Sequence, residues 1–496
     1  MRKNFFYSFC LFMLISCGSE PRTTPVSEQK EQHRPLFHFT PEAHWMNDPN
    51  GMVFYNNKYH LFYQYYPNST VWGPMHWGHA VSTDLVHWTN KPVALFPDSL
   101  GYIFSGSAVA DVNNTSGFGK DGKVPLVAIF THHDPEGEKA GKNTFQNQSI
   151  AYSIDDGETW TKYDSNPVLK NPGIKDFRDP KVSWHKATKK WIMTLATLDR
   201  ITFYSSPDLK NWKRESEFGE KVGAHGGVWE CPDLFPLKKD EKEIWILLVS
   251  INPGGPNGGS ATQYFTGQFD GHTFTPLQTD TRWIDHGPDD YAGVTWSNTG
   301  ERKTFLGWMS NWQYANLVPT VKWRSATTIP RDLALEKIGE KYYISSTPSE
   351  ELNVLETRKV DIVENTADLN GGAKLRITTD KIEDFAITLS NDSSEKTVVG
   401  FDKAKNQYYI DRSASGKTKF EKGFASRTTA PRIAVTDSSD ITLIIDVASV
   451  ELFADRGVTV MTGIYFPTKD YSKLSIEPKE KFKIKTVELT ELKPMK

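Results

Sequence analysis

Four acidic residues recur at a similar place along this chain. Asp48 lies in Trp45-Met-Asn-Asp-Pro-Asn-Gly51, Asp179 in Phe177-Arg-Asp-Pro180, Glu230 in Gly227-Val-Trp-Glu-Cys-Pro-Asp233 and Asp290 in Asp289-Asp-Tyr-Ala-Gly293. Each stands 11 to 15 residues ahead of a short apolar run: Tyr59–Tyr63, Trp191–Leu195, Trp245–Val249 and Phe305–Met309. If the segments carrying the acids are related by rotation about one axis, the carboxylates converge on it. Carboxylates gathered around one funnel repel each other, and at least one pKa rises. A carboxyl pushed up stays protonated near neutral pH and can act as an acid, while a neighbour that keeps its charge can attack. Cleavage of a glycosidic bond needs such a pair. One Asp-Pro in isolation is a turn, but four acids at matching places are poorly explained that way. The rival reading is a calcium site, because hard carboxylate oxygens also bind Ca²⁺.

The surrounding aromatics favour a sugar. Trp45, Trp72, Trp77, Tyr291, Trp308 and Trp312 all lie near these acids or near strand ends, in a chain with 15 tryptophans. Flat aromatic faces suit the C–H face of a sugar, and Asn47, Gln64 and Ser105 offer amide and hydroxyl partners to its hydroxyls. Any single tryptophan is more often core than platform. His76, His79, His132 and His133 have no partner in sight and read as structural or rim residues. No Cys/His cluster has zinc spacing, so neither a metal nor a cofactor is expected.

Elements that repeat must position these groups. The four apolar runs and a fifth, Leu126–Phe130, start roughly 55–70 residues apart and are strand-like in length and composition. A second feature recurs as Ser82-Thr-Asp-Leu-Val-His-Trp88, Ser153-Ile-Asp-Asp-Gly-Glu-Thr-Trp160 and Ser205-Ser-Pro-Asp-Leu-Lys-Asn-Trp212, with a weaker echo at Phe269-Asp-Gly-His-Thr-Phe274. Each pairs a tight polar turn with an aromatic, and Trp88, Trp160 and Trp212 are assigned to packing. Such repeats suit a propeller of four-stranded blades, and five copies imply five blades. A β-helix has shorter periods, and a sandwich does not repeat this way. The repeats stop near residue 335. Beyond it come lysine-rich alternating segments, Lys374–Thr378, Ile441–Ile445, Val450–Phe453 and Lys481–Lys485, which read as half-buried antiparallel sheet. The expected fold is all-β: a five-bladed β-propeller over residues 34–337, then a β-sandwich over 338–496, with no long helix.

The N-terminus reads as a processing segment. Arg2 and Lys3 precede an apolar stretch from Phe5 to Ile15 that is too short to span a membrane. Leu14-Ile15-Ser16-Cys17-Gly18 resembles a bacterial lipobox, which implies a signal peptide over 1–17 and lipidation of Cys17. Residues 18–33 read as a flexible tether. The chain would then be exported and held to a bacterial membrane, periplasmic or surface-facing, only through that anchor. Of three cysteines, Cys10 leaves with the signal and Cys17 carries lipid, so Cys231 has no partner for a disulfide. A net charge of -3 gives no reason to expect a nucleic-acid partner.

At the acidic motifs the sequence resembles glycoside hydrolase family 32, which contains invertases, inulinases, levanases and fructan exohydrolases. Trp45–Gly51 resembles its nucleophile motif, Arg178-Asp179-Pro180 its second motif and Glu230-Cys231 its acid/base motif. Phe104-Ser-Gly-Ser107 and Val450-Glu-Leu-Phe-Ala-Asp-Arg-Gly457 resemble further segments, and the likeness covers about residues 34–490. The resemblance implies a retaining hydrolase of β-fructofuranosyl bonds. Asp48 would attack C2 of a fructosyl unit, Glu230 would protonate the leaving oxygen and then activate water, and Asp179 would stabilise the oxocarbenium-like state. Asn47, Gln64, Trp72, Ser105, Arg178, Tyr291 and Trp312 would line the fructose pocket, and Arg178 would help keep Asp179 ionised.

The substrate implied is a fructan or fructo-oligosaccharide, levan or inulin and also sucrose. Gly226–Phe235 looks more like exo-acting members, with an endo-acting levanase or inulinase as the nearest alternative. A non-catalytic fructan-binding lipoprotein would have lost an acid, and a propeller glycosidase for arabinan or xylan would not carry Trp45–Gly51. Asp48→Ala or Glu230→Ala should abolish fructose release from a folded protein; near-normal turnover by either variant would refute the role assigned.

Overall fold

The computed structural model describes residues 31–479 and 481–495. The signal segment 1–17, its Cys17 and the tether up to residue 30 lie outside the described residues. The chain is already packed at His33, which is buried edge-on to Phe466.

Five sheets, antiparallel but for one short strand, make the propeller. Their first strands are His44–Tyr55, Tyr102–Ala110, Phe177–His185, Val228–Lys239 and Tyr291–Thr295. These five touch one another in cyclic order, the last returning to the first, so they ring the axis. The apolar runs that mark the repeats are the second strands, Lys58–Tyr66, Leu126–His133, Lys190–Thr197, Lys242–Asn252 and Thr304–Met309. They read as near-continuous apolar segments because each blade is covered on both faces by its neighbours. Five apolar cores accordingly lie between blades one and two, two and three, three and four, four and five, and five and one. The ring is closed by a short strand from late in the chain: Trp323-Arg324 pairs in parallel with His44-Trp45 of blade one.

The repeated Ser-Asp-Trp turns share one plan in three blades, an aspartate that accepts turn amides and an indole that donates back to the turn. Asp84 Oδ1 accepts from Val86 N and His87 N at 3.0 and 2.8 Å, and Trp88 Nε1 donates back to Leu85 O at 3.1 Å. Asp208 with Trp212 does the same, whereas in the longer turn at Trp160 the Asp155 carboxylate takes the Thr159 amide; each indole lies 3.1 Å from a carbonyl within its own turn. The aspartate satisfies the turn's amides, and the ring is released to pack: Trp88 stacks on Trp296 and Trp160 meets Phe62 edge-on.

The fifth blade ends in a hairpin, Arg331–Ile338 with Lys341–Pro348. Strands from Glu356 onward build two six-stranded sheets around a core that includes Leu375, Ile387, Val399, Tyr408, Leu443 and Leu474. Alternation of buried and exposed residues, as in Gly372–Thr379 and Phe385–Ser390, matches sheets packed on one face. The segment Lys481–Lys485 is not a strand. Phe482 turns in against Phe385, and pairing begins only at Thr486.

Where the sandwich meets the propeller, the contact is ionic as well as apolar. Arg331, fully buried, donates to Asp285 (2.9 Å), Asp290 (3.0 Å) and Glu451 (3.0 Å from Nε). Both ring nitrogens of buried His38 face carboxylates, Nδ1 to Asp446 at 2.8 Å and Nε2 to Glu451 at 2.9 Å. Removing one partner of such a buried pair typically costs about 3–5 kcal/mol, because the other is left uncompensated. Burial disfavours charge on His38, but its bonds to Asp446 and Glu451 outweigh it and raise the pKa to about 9. Because the folded value lies above the ordinary 6.5, this contribution to stability is full below about pH 6.5 and is lost as pH rises through about 9. Melting temperatures of the unaltered chain and His38→Gln should therefore converge between pH 6.5 and 9.5; a constant gap would contradict the pairing.

Candidate active site

Each inner strand is interrupted at the same level by a bulge, where two of its residues oppose one on the second strand. The pairs are Asn47-Asp48, Phe104-Ser105, Asp179-Pro180, Cys231-Pro232 and Ala292-Gly293. A bulge breaks the ladder, bends the strand and re-aims a side chain. Here five bulges turn the inner strands toward one funnel. Asp179, Cys231 and Ala292 sit at φ of 65°, 44° and 53°. This left-handed region costs a non-glycine residue about 1–3 kcal/mol, a cost usually met at functional sites.

The motif around Asp48 works as a unit. Buried Trp45 donates from Nε1 to Asn47 Oδ1 at 2.7 Å, which turns the Asn47 amide nitrogen toward Asp48 Oδ1 at 2.9 Å. Ser105 Oγ, from the bulge of blade two, donates to Asp48 Oδ2 at 2.7 Å. Gly51 has φ of 58°, and a Cβ there would stand 2.6 Å from the Trp77 ring, so only glycine fits. Glu230 is held from two sides: Arg178 Nε and Nη2 donate to Oε1 at 3.1 and 3.0 Å, and the Tyr291 hydroxyl donates to Oε2. Asp179 Oδ2 accepts the Cys231 backbone N–H at 3.0 Å.

Cys231 is more than packing. Its sulfur lies 3.4 Å from Asp48 Oδ2 and 3.6 Å from Asp179 Oδ2, so one S–H is shared between carboxylates of different blades. Burial, and then the charges of Asp179, Asp48 and Glu230, push the thiol far above its ordinary value. It stays protonated, as a donor should.

The same crowding acts on the acids. Burial and then Glu230 raise Asp48, against hydrogen bonds from Asn47, Ser105 and Cys231 that favour its charge. Burial raises Asp179 to about 7; Arg178 opposes this, while Glu230 and Asp48 add to it. Arg178 thus favours the charged form of Asp179 through its nearby charge, while its fork bonds Glu230 and, through Nη1, Asp176 at 2.7 Å.

These residues open into a cavity of about 370 Å³, lined by Asn47, Asp48, Gln64, Trp72, Ser105, Arg178, Asp179, Glu230 and Trp312. Tyr291 reaches it through Glu230. Gln64 stands opposite the first bulge, and its Nε2 is a buried donor without a protein partner. Trp77 and Trp308 are core. Phe104, His133, Glu138, Gln146 and Asp176 also line the cavity and were not anticipated. For His133 the signal was its place at the end of the second strand of blade two, opposite the inner strand that carries Phe104 and Ser105.

Asp290 does not join the trio. It lies before the bulge of its blade, and its carboxylate turns away to Arg331. The four acids are thus not at equivalent positions: Asp48 is second in its bulge, Asp179 first, and Glu230 just precedes one. Tyr291, which also just precedes a bulge, is the residue that blade five contributes. Among the described residues, no group of three or more His, Cys, Asp or Glu is arranged to hold a metal.

A five-bladed propeller with three carboxylates gathered at its funnel, joined to a β-sandwich, defines a class of glycoside hydrolases. Comparison with known proteins agrees. Residues 38–348 match the Glycosyl hydrolases family 32 N-terminal domain, and residues 339–492 match the family 32 C-terminal domain. The chain is 44% identical to the levanase of Bacillus subtilis over 96% of its own length and 73% of that protein. It is 42% identical to the extracellular exo-inulinase of Aspergillus awamori over 89% and 90% of the two chains. The crystal structure of exo-inulinase from A. awamori superposes with a TM-score of 0.86, covering 94% of this chain and 99% of that one. The chain belongs to glycoside hydrolase family 32.

A nucleophilic Asp48 would have to be ionised, and on that reading the acidic limb of kcat/KM against pH should lie above the ordinary carboxylate value of 3.8. Ser105→Ala removes a bond that favours the charged form and should move that limb to higher pH; an unmoved limb would argue against Asp48 as the group titrating there.

Proposed function

We propose that this protein is a retaining exo-hydrolase that releases fructose from the ends of β-fructans such as levan and inulin, and also from sucrose. The observation that carries the reading is the pairing of two carboxylates in different settings on one cavity. Asp48 is fixed by Asn47, Ser105 and Cys231, each bond favouring its charge, and Glu230 is held on another blade by Arg178 and Tyr291. A fixed, hydrogen-bonded Asp48 suits nucleophilic attack on the anomeric C2, with a covalent fructosyl intermediate. Glu230 delivers the proton to the leaving oxygen and later takes one from water. Asp179, across the shared thiol from Asp48, holds fructosyl hydroxyls and answers the positive charge that develops at the ring. Asn47, Gln64, Trp72, Ser105, Arg178, Tyr291 and Trp312 shape the fructose site, and the orphan donor of Gln64 suits a sugar oxygen.

Exo action is supported by the Aspergillus exo-inulinase among the relatives. Export is supported by the extracellular designation of that relative and by the charged start and apolar core of residues 1–17, and Cys17 would carry the lipid. For the domain division, the pairing of Arg331–Ile338 with Lys341–Pro348 in the fifth sheet supports a catalytic propeller that runs through Pro348, with the sandwich from Glu356.

Incubation with levan, inulin and sucrose, followed by product separation, tests the function. Fructose as the sole early fructan product is the expected result, whereas a ladder of oligomers would mean endo action. The same assay on fractionated cells should find the activity with the membranes; activity only in the medium would sink the anchor.

A further inference from the structure

One wall of the cavity is built by an excursion between the second and third strands of blade two. His133 ends the second strand, a short helix follows at Pro135–Lys139, and Gln146 begins the third strand. Asp134 caps the helix, accepting from Glu136 N at 3.1 Å, and its own N–H closes the excursion on Phe145 O at 2.7 Å. His133 is buried, stacked on Phe104 with ring centres 4.2 Å apart at 9° and met edge-on by Phe145. Phe104 in turn meets Trp72 edge-on. Trp72, Phe104, His133 and Glu138 thus form a continuous strip of the cavity wall.

The polar bonds give this strip a direction. Gln146 Oε1 accepts from Phe177 N at 2.8 Å and from Arg178 Nη1 at 3.4 Å, so its Nε2 is the atom that faces His133 Nδ1 at 3.3 Å. Nδ1 must therefore accept, and the imidazole proton sits on Nε2, which lies 3.2 Å from Glu138 Oε2. Burial, reinforced by Arg178, lowers His133 to about 4, so it orients Glu138 without cancelling its charge. Among the described residues Glu138 pairs with this neutral ring alone, and its side chain remains 53% exposed at the cavity. The chain of contacts Glu138–His133–Gln146–Arg178 ends at Glu230. The group that protonates a leaving oxygen faces the leaving group, so the wall continuous with Glu230 faces the sugar that departs.

We propose that Glu138, set by His133, is a specificity residue for the leaving-group sugar: it accepts hydrogen bonds from that sugar's hydroxyls and repels leaving groups that carry phosphate. The inference rests on the fructosyl-hydrolase reading above. The charge balance of the cavity supports it. Asp48, Glu138, Asp176, Asp179 and Glu230 line the space against the single cation of Arg178, which Asp176 and Glu230 already engage. A neutral polyol fits this setting, and a phosphorylated one does not.

The test compares Glu138→Ala and Glu138→Gln with the unaltered chain on sucrose, on sucrose phosphorylated at its glucosyl unit, and with free fructose as inhibitor. Glu138→Ala should raise KM for sucrose about tenfold, the usual scale for losing a hydrogen bond to a charged group. Glu138→Gln keeps an acceptor and should fall between. Inhibition by fructose, which needs only the site at Asp48, should change less than twofold. Both variants should narrow the preference for neutral over phosphorylated sucrose, an effect that a merely structural glutamate would not produce. An active unaltered chain whose KM and phosphate discrimination survive both substitutions overturns this inference alone. An unaltered chain that releases no fructose from any substrate overturns the functional reading and this inference with it.

Discussion

Like charge brought close in a place with little water is the constraint on which this molecule turns. Three carboxylates from three blades share one funnel, and burial raises two of them above their ordinary range. Each acid is therefore surrounded by donors: an amide and a hydroxyl at Asp48, a backbone N–H at Asp179, a guanidinium and a phenol at Glu230. The buried thiol of Cys231 bridges the two aspartates without adding charge. A hydroxyl in its place would be a stronger donor, but it would hold both acids more firmly ionised and reduce the crowding that retains protons. The arrangement sets burial, which disfavours charge, against donors that favour it at both aspartates.

Much of this was legible in the residues. The second strands announce themselves because a blade covered on both faces must be apolar throughout, and the Ser-Asp-Trp turns recur because an aspartate that satisfies turn amides suits three of the blades. The family likeness at Trp45–Gly51, Arg178–Pro180 and Glu230-Cys231 led to the same cavity. Asp290 misled because counting along the chain ignores bulges. One extra residue in a strand reverses which way a side chain faces, so an acid at nearly matching spacing points to Arg331 instead of the funnel. His133 was passed over because its partners, Phe104, Glu138 and Gln146, come together only when the excursion folds back on its own strand. Lys481–Lys485 alternates like a strand, yet Phe482 finds a better place inside the sandwich than any ladder could offer.

The run Asp289-Asp290-Tyr291 joins the two parts of the protein. Asp289 meets Arg412 of the sandwich at 2.7 Å, Asp290 meets Arg331, and Tyr291 meets Glu230. Three successive residues thus connect the sandwich, the buried ionic cluster and Glu230. The sandwich is in this sense part of the active-site scaffold, since it anchors the segment that presents the phenol to Glu230.

The parallel pairing of Trp323-Arg324 with His44-Trp45 bears on how the protein is born. The strand that bears Asp48 leaves the ribosome early, but its parallel neighbour Trp323-Arg324 emerges only after four blades and the inner strands of the fifth have been made. Contacts so distant along the chain form slowly and late. Until then blade one lacks its innermost strand and Asp48 has no finished cradle, so the funnel is completed late in synthesis rather than blade by blade.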